Sequence, residues 1–179
     1  MAGKGHEYAL RCFANISAHY PKWKLRFVGS DMGLKKNYEY KKNLMEKASS
    51  LGLNNSVEWS GFSDEMEKEY LNAAIVLNFS ESESFSLTCL EAMFYGRPVV
   101  ATKSGGPQEI IEPDVSGILV NVNDVSAMSE ALEDLILNPD KRNKMAQNAY
   151  WSVRKKFNLK DIKMQLSSVY FNGCGLKVN

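Results

Sequence analysis

The stretch from Ser80 to Gly106, with the apolar run that feeds it, constrains this chain most. The chain's most apolar run, Ala73–Phe79, feeds a polar segment around Glu83, then a helix-forming segment with a single charge, then a second apolar run, Pro98–Ala101, that leads to Gly105-Gly106. A short continuous apolar run reads as a strand buried on both faces. Ser86–Tyr95 is apolar almost all the way round, which predicts a largely enclosed helix. Its one charge, Glu91, shares the i, i+3, i+4, i+7 face with Leu87, Leu90 and Phe94, so the carboxylate is expected among core side chains. There it needs partners.

Those partners are either structural, such as an Arg or a set of backbone amides, or they belong to a ligand. Glu83 stands just ahead of the helix, where free N–H groups and the positive end of the dipole gather anions. Alone, it reads as an acid complementing the dipole. Together, Glu83 and Glu91 frame a helix start suited to a ligand carrying both hydroxyls and phosphates.

The rest of the chain alternates in the same way. Lys4-Gly5 precedes a helix from His6 to His19, closed by Pro21. Lys24–Val28 is a strand that breaks into a GSDMG loop, and a Lys- and Tyr-rich lead, Lys35–Lys42, reads as solvated surface before a helix set by Leu44, Met45, Ala48 and Leu51. Val57–Ser60 is a strand, after which Ser63 is the expected N-cap of a helix. Phe62 in that turn reads as core, with stacking on a base as the alternative. Ile118–Asn121 gives a further strand, followed by helices over Val125–Leu137, Asp140–Lys156 with Asn138 as cap, and Leu159–Tyr170. Strands alternating with helices specify a doubly wound, Rossmann-like α/β sheet covered on both faces.

Composition excludes several classes. Of the 179 residues, 22 are Lys or Arg and 21 Asp or Glu, so no net charge argues for nucleic acid or an anionic membrane. Cys12, Cys89 and Cys174 lack metal-ligand spacing and read as reduced thiols of a cytoplasmic protein; His6 and His19 have no acidic or Cys cluster beside them. No apolar run approaches the ~20 residues of a membrane span. No metal is expected.

Glu83 and Glu91 lie in an E-x(7)-E spacing within SESESFSLTCLEAMFYGRPVVATKSGGPQEII, and this resembles the signature of glycosyltransferase family 4, retaining enzymes of the GT-B fold. The resemblance runs from Lys4-Gly5-His6-Glu7 to about Phe157. It implies that Glu83 contacts the donor sugar, that Glu91 holds the ribose hydroxyls, and that Lys4 lies on the diphosphate. It also implies donor-binding positions at Ser84, Phe85, Ser86, Leu87 and the Gly105-Gly106 turn, with Phe62 near the base; Ser84 and Ser86 stand where many members have Gly.

By this resemblance, residues 1–179 form one donor domain, ending in a C-terminal helix and tail over 158–179, and need neither metal nor cofactor. The implied reaction moves a sugar from a nucleoside diphosphate sugar to a glycan or lipid-linked acceptor, as in surface-polysaccharide synthesis. The implied partners are the nucleotide sugar and a preceding acceptor domain, through which peripheral membrane contact would come. The family's first strand, which lies between the equivalents of Lys24–Val28 and Ala73–Phe79, is expected to fall outside this sequence. The gap then closes by direct pairing, is filled by another segment such as the Leu176–Asn179 tail or by self-association, or leaves the chain marginally stable and inactive alone. Rival readings are a non-catalytic nucleotide-sugar-binding module, a nucleotide-sugar epimerase or glycan phosphorylase, and a two-carboxylate glycosidase.

Overall fold

The computed structural model describes residues 3–173. Helices and strands alternate in the order α1 (His6–Ser17), β1 (Leu25–Val28), α2 (Lys35–Ser50), β2 (Val57–Ser60), α3 (Met66–Asn72), β3 (Val76–Asn78), α4 (Leu87–Phe94), β4 (Val99–Thr102), α5 (Gly106–Ile110), β5 (Ile118–Val120), α6 (Val125–Leu137), α7 (Pro139–Lys156) and α8 (Leu159–Gly173). Every strand pair is parallel. Two apolar cores follow. One gathers Leu10 and Phe13 of α1, Leu44 of α2 and Met128 and Leu135 of α6; the other gathers Cys89 and Met93 of α4 with Ala149 and Val153 of α7. Helices therefore cover both faces, as the alternating pattern requires.

Most boundaries agree with the sequence reading, and the differences have local causes. The Lys- and Tyr-rich lead is itself helical, because α2 begins at Lys35 and buries only Leu44 and Ala48. Met45 is 46% exposed. Ser63 does not cap α3; its Oγ accepts from the Glu65 amide at 3.3 Å, which delays the helix to Met66. Asn138 precedes Pro139 as expected, but its amide nitrogen reaches back to Asp134 Oδ1 at 2.8 Å instead of capping α7. Cys12 and Cys89 are buried free thiols, pushed up by burial to about 12 and about 11. Cys174 and the Leu176–Asn179 tail lie outside the described residues.

Among the described residues the strands do not form one sheet. There β1 pairs only with β2, and β3, β4 and β5 form a second sheet with β3 at one edge. The direct pairing of β1 with β3 offered as one outcome of the sequence reading does not occur among the described residues. Instead, Leu25–Val28 and Ile75–Asn78 line the same cavity of about 730 Å³, so each sheet turns toward it an edge that is unpaired among the described residues. This explains why the most apolar run forms a strand of only three residues, with Val76 and Leu77 partly exposed. An edge that lacks a neighbour has half its ladder.

Candidate functional site

The loops after β3 and β4, together with the start of α1, converge at the carboxyl ends of the strands, where open parallel sheets leave a crevice. Gly5 makes the convergence possible. It is the N-cap of α1 with φ 73°, and a Cβ there would stand 2.0 Å from the Phe79 carbonyl oxygen. Only glycine lets the helix start lie directly on the end of β3. The contact brings Lys4 Nζ within 2.8 Å of Glu83 Oε1, and Ser80 Oγ donates to the same oxygen at 2.8 Å. Burial raises the Glu83 carboxyl, but the bonds from Lys4 and Ser80 outweigh it and hold the group below the usual Glu range.

Gly105 and Gly106 seat the Glu83 loop from the other side. The Glu83 amide donates to the Ser104 carbonyl at 2.9 Å, and the Gly106 amide donates to the Glu83 carbonyl at 2.7 Å. A Cβ on Gly105 would meet the Glu83 oxygen at 2.6 Å, and one on Gly106 would come within 2.3 Å of the Phe85 carbonyl carbon. The space these glycines leave is filled by the chain bearing Glu83 and Phe85.

At the start of α4, Ser86 adopts φ 72°, a left-handed conformation that glycine takes more readily. Its Oγ accepts from the Cys89 amide at 3.4 Å and from the side chain of Asn78 at 2.7 Å. Ser84 is exposed, and Phe85 is half-buried with its ring edge-on to Phe157. The helix is not enclosed. It buries Cys89, Ala92 and Met93, whereas Leu87 is 64% and Phe94 40% exposed, on the face that also carries an exposed Glu91. The expectation of a carboxylate among core side chains is thus overturned, because the helix packs a single stripe, Cys89, Ala92 and Met93, against the sheet and α7 and turns the Glu91 face outward. Glu91 nevertheless has a partner: Tyr70 donates its hydroxyl to Oε2 at 2.9 Å. Burial, followed by that carboxylate, raises the Tyr70 phenol above its ordinary value.

Phe62 is 78% exposed rather than core, since the turn after β2 points away from both apolar clusters. Lys4, Glu83, Thr88 and Tyr70 share the wall of the large cavity; Phe62, Glu91 and the two glycines do not. Tyr70, Ser80 and Asn78 were not singled out by sequence reasoning. A polar Asn inside the most apolar run of the chain was the one visible signal. Among the described residues there is no cluster of His, Cys, Asp or Glu able to hold a metal, and no helix is long and apolar enough to cross a membrane.

The family model for glycosyl transferases group 1 matches residues 2–151. The chain is 33% identical over 143 residues to an alpha-1,3/1,6-mannosyltransferase of Dictyostelium discoideum, covering 79% of this chain and 34% of that protein. It is 35% identical over 150 residues to a D-inositol 3-phosphate glycosyltransferase of Corynebacterium urealyticum, with 82% of this chain and 35% of that protein covered. It therefore spans about a third of the length of these relatives. Among solved structures, Anabaena HepE in complex with UDP is similar at a TM-score of 0.89 and 26% identity, over 96% of this chain and 46% of that one. The C-terminal domain of a glycosyl transferase group 1 family protein from Francisella tularensis is similar at 0.81 and 31% identity, over 89% of this chain and 82% of that one. The shared architecture is the Rossmann-like half of a GT-B glycosyltransferase. With its family model matched over most of its length, its fold shared and its two glutamates flanking one helix start, this chain belongs to the glycosyl transferases group 1 family.

Proposed function

We propose that this chain is the donor-binding domain of a retaining, metal-independent glycosyltransferase of the family 4 type. The observation that carries the reading is the meeting of Lys4 with Glu83 at the start of α4, 79 residues apart in sequence and joined at 2.8 Å. A nucleoside diphosphate leaving a sugar gains negative charge on its phosphates. Lys4 Nζ and the free amides at the start of α4 are the groups that would stabilise that charge, in a loop already fixed by Gly5 and Gly105. Glu83 would contact the transferred sugar, and Glu91, oriented by Tyr70, would accept from the ribose hydroxyls. Phe62, exposed after β2, would stack on the base. Gly105 and Gly106 would serve by seating the Glu83 loop, while Ser84, Phe85, Ser86 and Leu87 carry the backbone that faces the donor.

The reaction would be a front-face one, in which the leaving phosphate takes the acceptor proton. The acceptor, a glycan or lipid-linked sugar of a cytoplasmic pathway for surface polysaccharide, would be held by a further domain. The chain alone is then expected to bind a nucleotide sugar and not to transfer the sugar. Calorimetric titration of the folded chain with UDP, GDP and ADP tests the reading; UDP comes first because HepE has been seen with UDP and with UDP-glucose. Binding of at least one at sub-millimolar concentration is the expected result. A folded chain that binds none of the three at millimolar concentration removes the donor-site assignment.

A further inference from the structure

Asn78 is 6% exposed at the end of β3, and its side chain is bonded in two directions. Its Oδ1 accepts from the Ser80 amide at 3.2 Å, and its Nδ2 donates to Ser86 Oγ at 2.7 Å. A backbone N–H can only donate, so the first bond fixes the orientation of the amide and leaves its NH2 for Ser86. The Ser80 bond closes the turn whose hydroxyl reaches Glu83 Oε1 at 2.8 Å. The Ser86 bond holds a residue at φ 72°, where a non-glycine residue is strained and persists only when its surroundings over-determine it. The same Oγ receives the Cys89 amide, so Asn78 also fixes where α4 begins.

We propose that Asn78 is a positioning residue of the donor site, one buried amide that clamps the Glu83 turn through Ser80 and the first amides of α4 through Ser86. The inference rests on the donor-site reading above and adds to it a residue that touches no ligand. Because the clamp has two arms, its loss separates into two effects: the Ser80 arm governs the carboxylate that would meet the sugar, and the Ser86 arm governs the amides that would meet the phosphates. Glycine at position 86 adopts a left-handed conformation without support, so it makes the second arm dispensable.

Hydrogen exchange of the full chain, read on peptides spanning 80–90, tests the clamp without any ligand. Asn78→Leu should speed exchange there and leave Val99–Thr102 of β4 unchanged, which also establishes that the variant is folded. Asn78→Ala, which removes both bonds without adding a charge, should speed exchange over the same peptides. Unchanged exchange in both overturns the clamp. Titration with whichever of UDP, GDP and ADP the wild type binds best tests positioning: Asn78→Leu should weaken affinity about fivefold to tenfold, the scale of one lost hydrogen bond. In a Ser86→Gly background the same replacement should cause no further loss. A full loss in that background, or none in either, overturns the positioning role. A wild type that binds none of the three, with the exchange effect intact, brings down the donor-site reading and the positioning role with it, while the clamp stands.

Discussion

Lys4 Nζ and Glu83 Oε1 lie 2.8 Å apart, with the lysine side chain 45% exposed and the glutamate 15%. The ammonium proposed to meet a diphosphate is thus already paired with the carboxylate proposed to meet the sugar. Glu83→Gln should therefore not weaken binding of a nucleoside diphosphate, because it releases Lys4 from a competing anion, yet it should weaken the complete nucleotide sugar. Parallel titrations with UDP and UDP-glucose check this; loss of UDP affinity alone would contradict the proposed division of labour.

Glu91→Gln should instead weaken the nucleoside diphosphate itself by about 1–3 kcal/mol, the scale for a charged hydrogen bond. Tyr70→Phe, which leaves Glu91 charged but without its 2.9 Å donor, should weaken it by less. If Glu83 and Glu91 variants exchange their effects, the ribose and sugar assignments are reversed.

Glycines of similar φ should differ widely in tolerance. Gly5→Ala drives a Cβ to 2.0 Å from the Phe79 carbonyl at φ 73° and should cost at least about 2 kcal/mol of stability. Gly33→Ala, at φ 68° with nothing within 4 Å, should cost only about 1 kcal/mol, the conformational strain alone. Denaturant midpoints of the two variants measure the difference.

Acid should destabilise the chain before most carboxylates titrate. Burial, with the positive charge of Lys4 nearby, lowers His6 from 6.5 to about 4. The unfolded chain then binds a proton that the folded chain refuses, so stability is full above about pH 6.5 and declines as pH falls toward about 4. The depressed Glu83 carboxyl acts in the same direction at lower pH: its contribution is present above the ordinary Glu range and is lost as pH falls through its folded value. Unfolding measured from pH 8 to 4 should show this slope, and His6→Gln should flatten its upper part.

The cavity between the two sheets predicts association or fragility. Edges of β1 and β3 facing about 730 Å³ of space present backbone donors and acceptors that a further strand would satisfy. The chain is expected to self-associate or melt at low temperature, and an apolar strand fused ahead of Gly3 should raise the melting temperature and favour the monomer. The Gly3 carbonyl accepts from the Glu81 amide at 2.9 Å, which sets the entry point beside β3. Sedimentation and thermal melting of both forms decide the matter; a stable monomer without the added strand would refute it.

The fold class was legible because apolar runs and helix periods alternate without interruption from His6 to α6, and because Pro139, Gly52 and Gly105 punctuate them. Glu83 and the paired glycines stood out in the sequence, and Lys4 through the family resemblance; the fold brings all four residues to one cluster of loops. Exposure was not. Helix α4 looks buried all round in sequence, but one stripe, Cys89, Ala92 and Met93, makes its contacts with the sheet and α7, which leaves Leu87 and Phe94 outside. Tyr70 and Asn78 escaped notice because their partners, Glu91 and Ser86, are brought to them by packing and not by spacing along the chain.

The resting pair of Lys4 and Glu83 has a bearing on how salt should affect binding. A cleft that carries its own counter-ion projects little field, and the chain as a whole has a formal net charge of only +1. A diphosphate arriving at the proposed donor site would exchange with a carboxylate at short range and would not be drawn in from a distance. Raising ionic strength should then slow its association only slightly, and recognition here should depend on contact geometry far more than on long-range attraction.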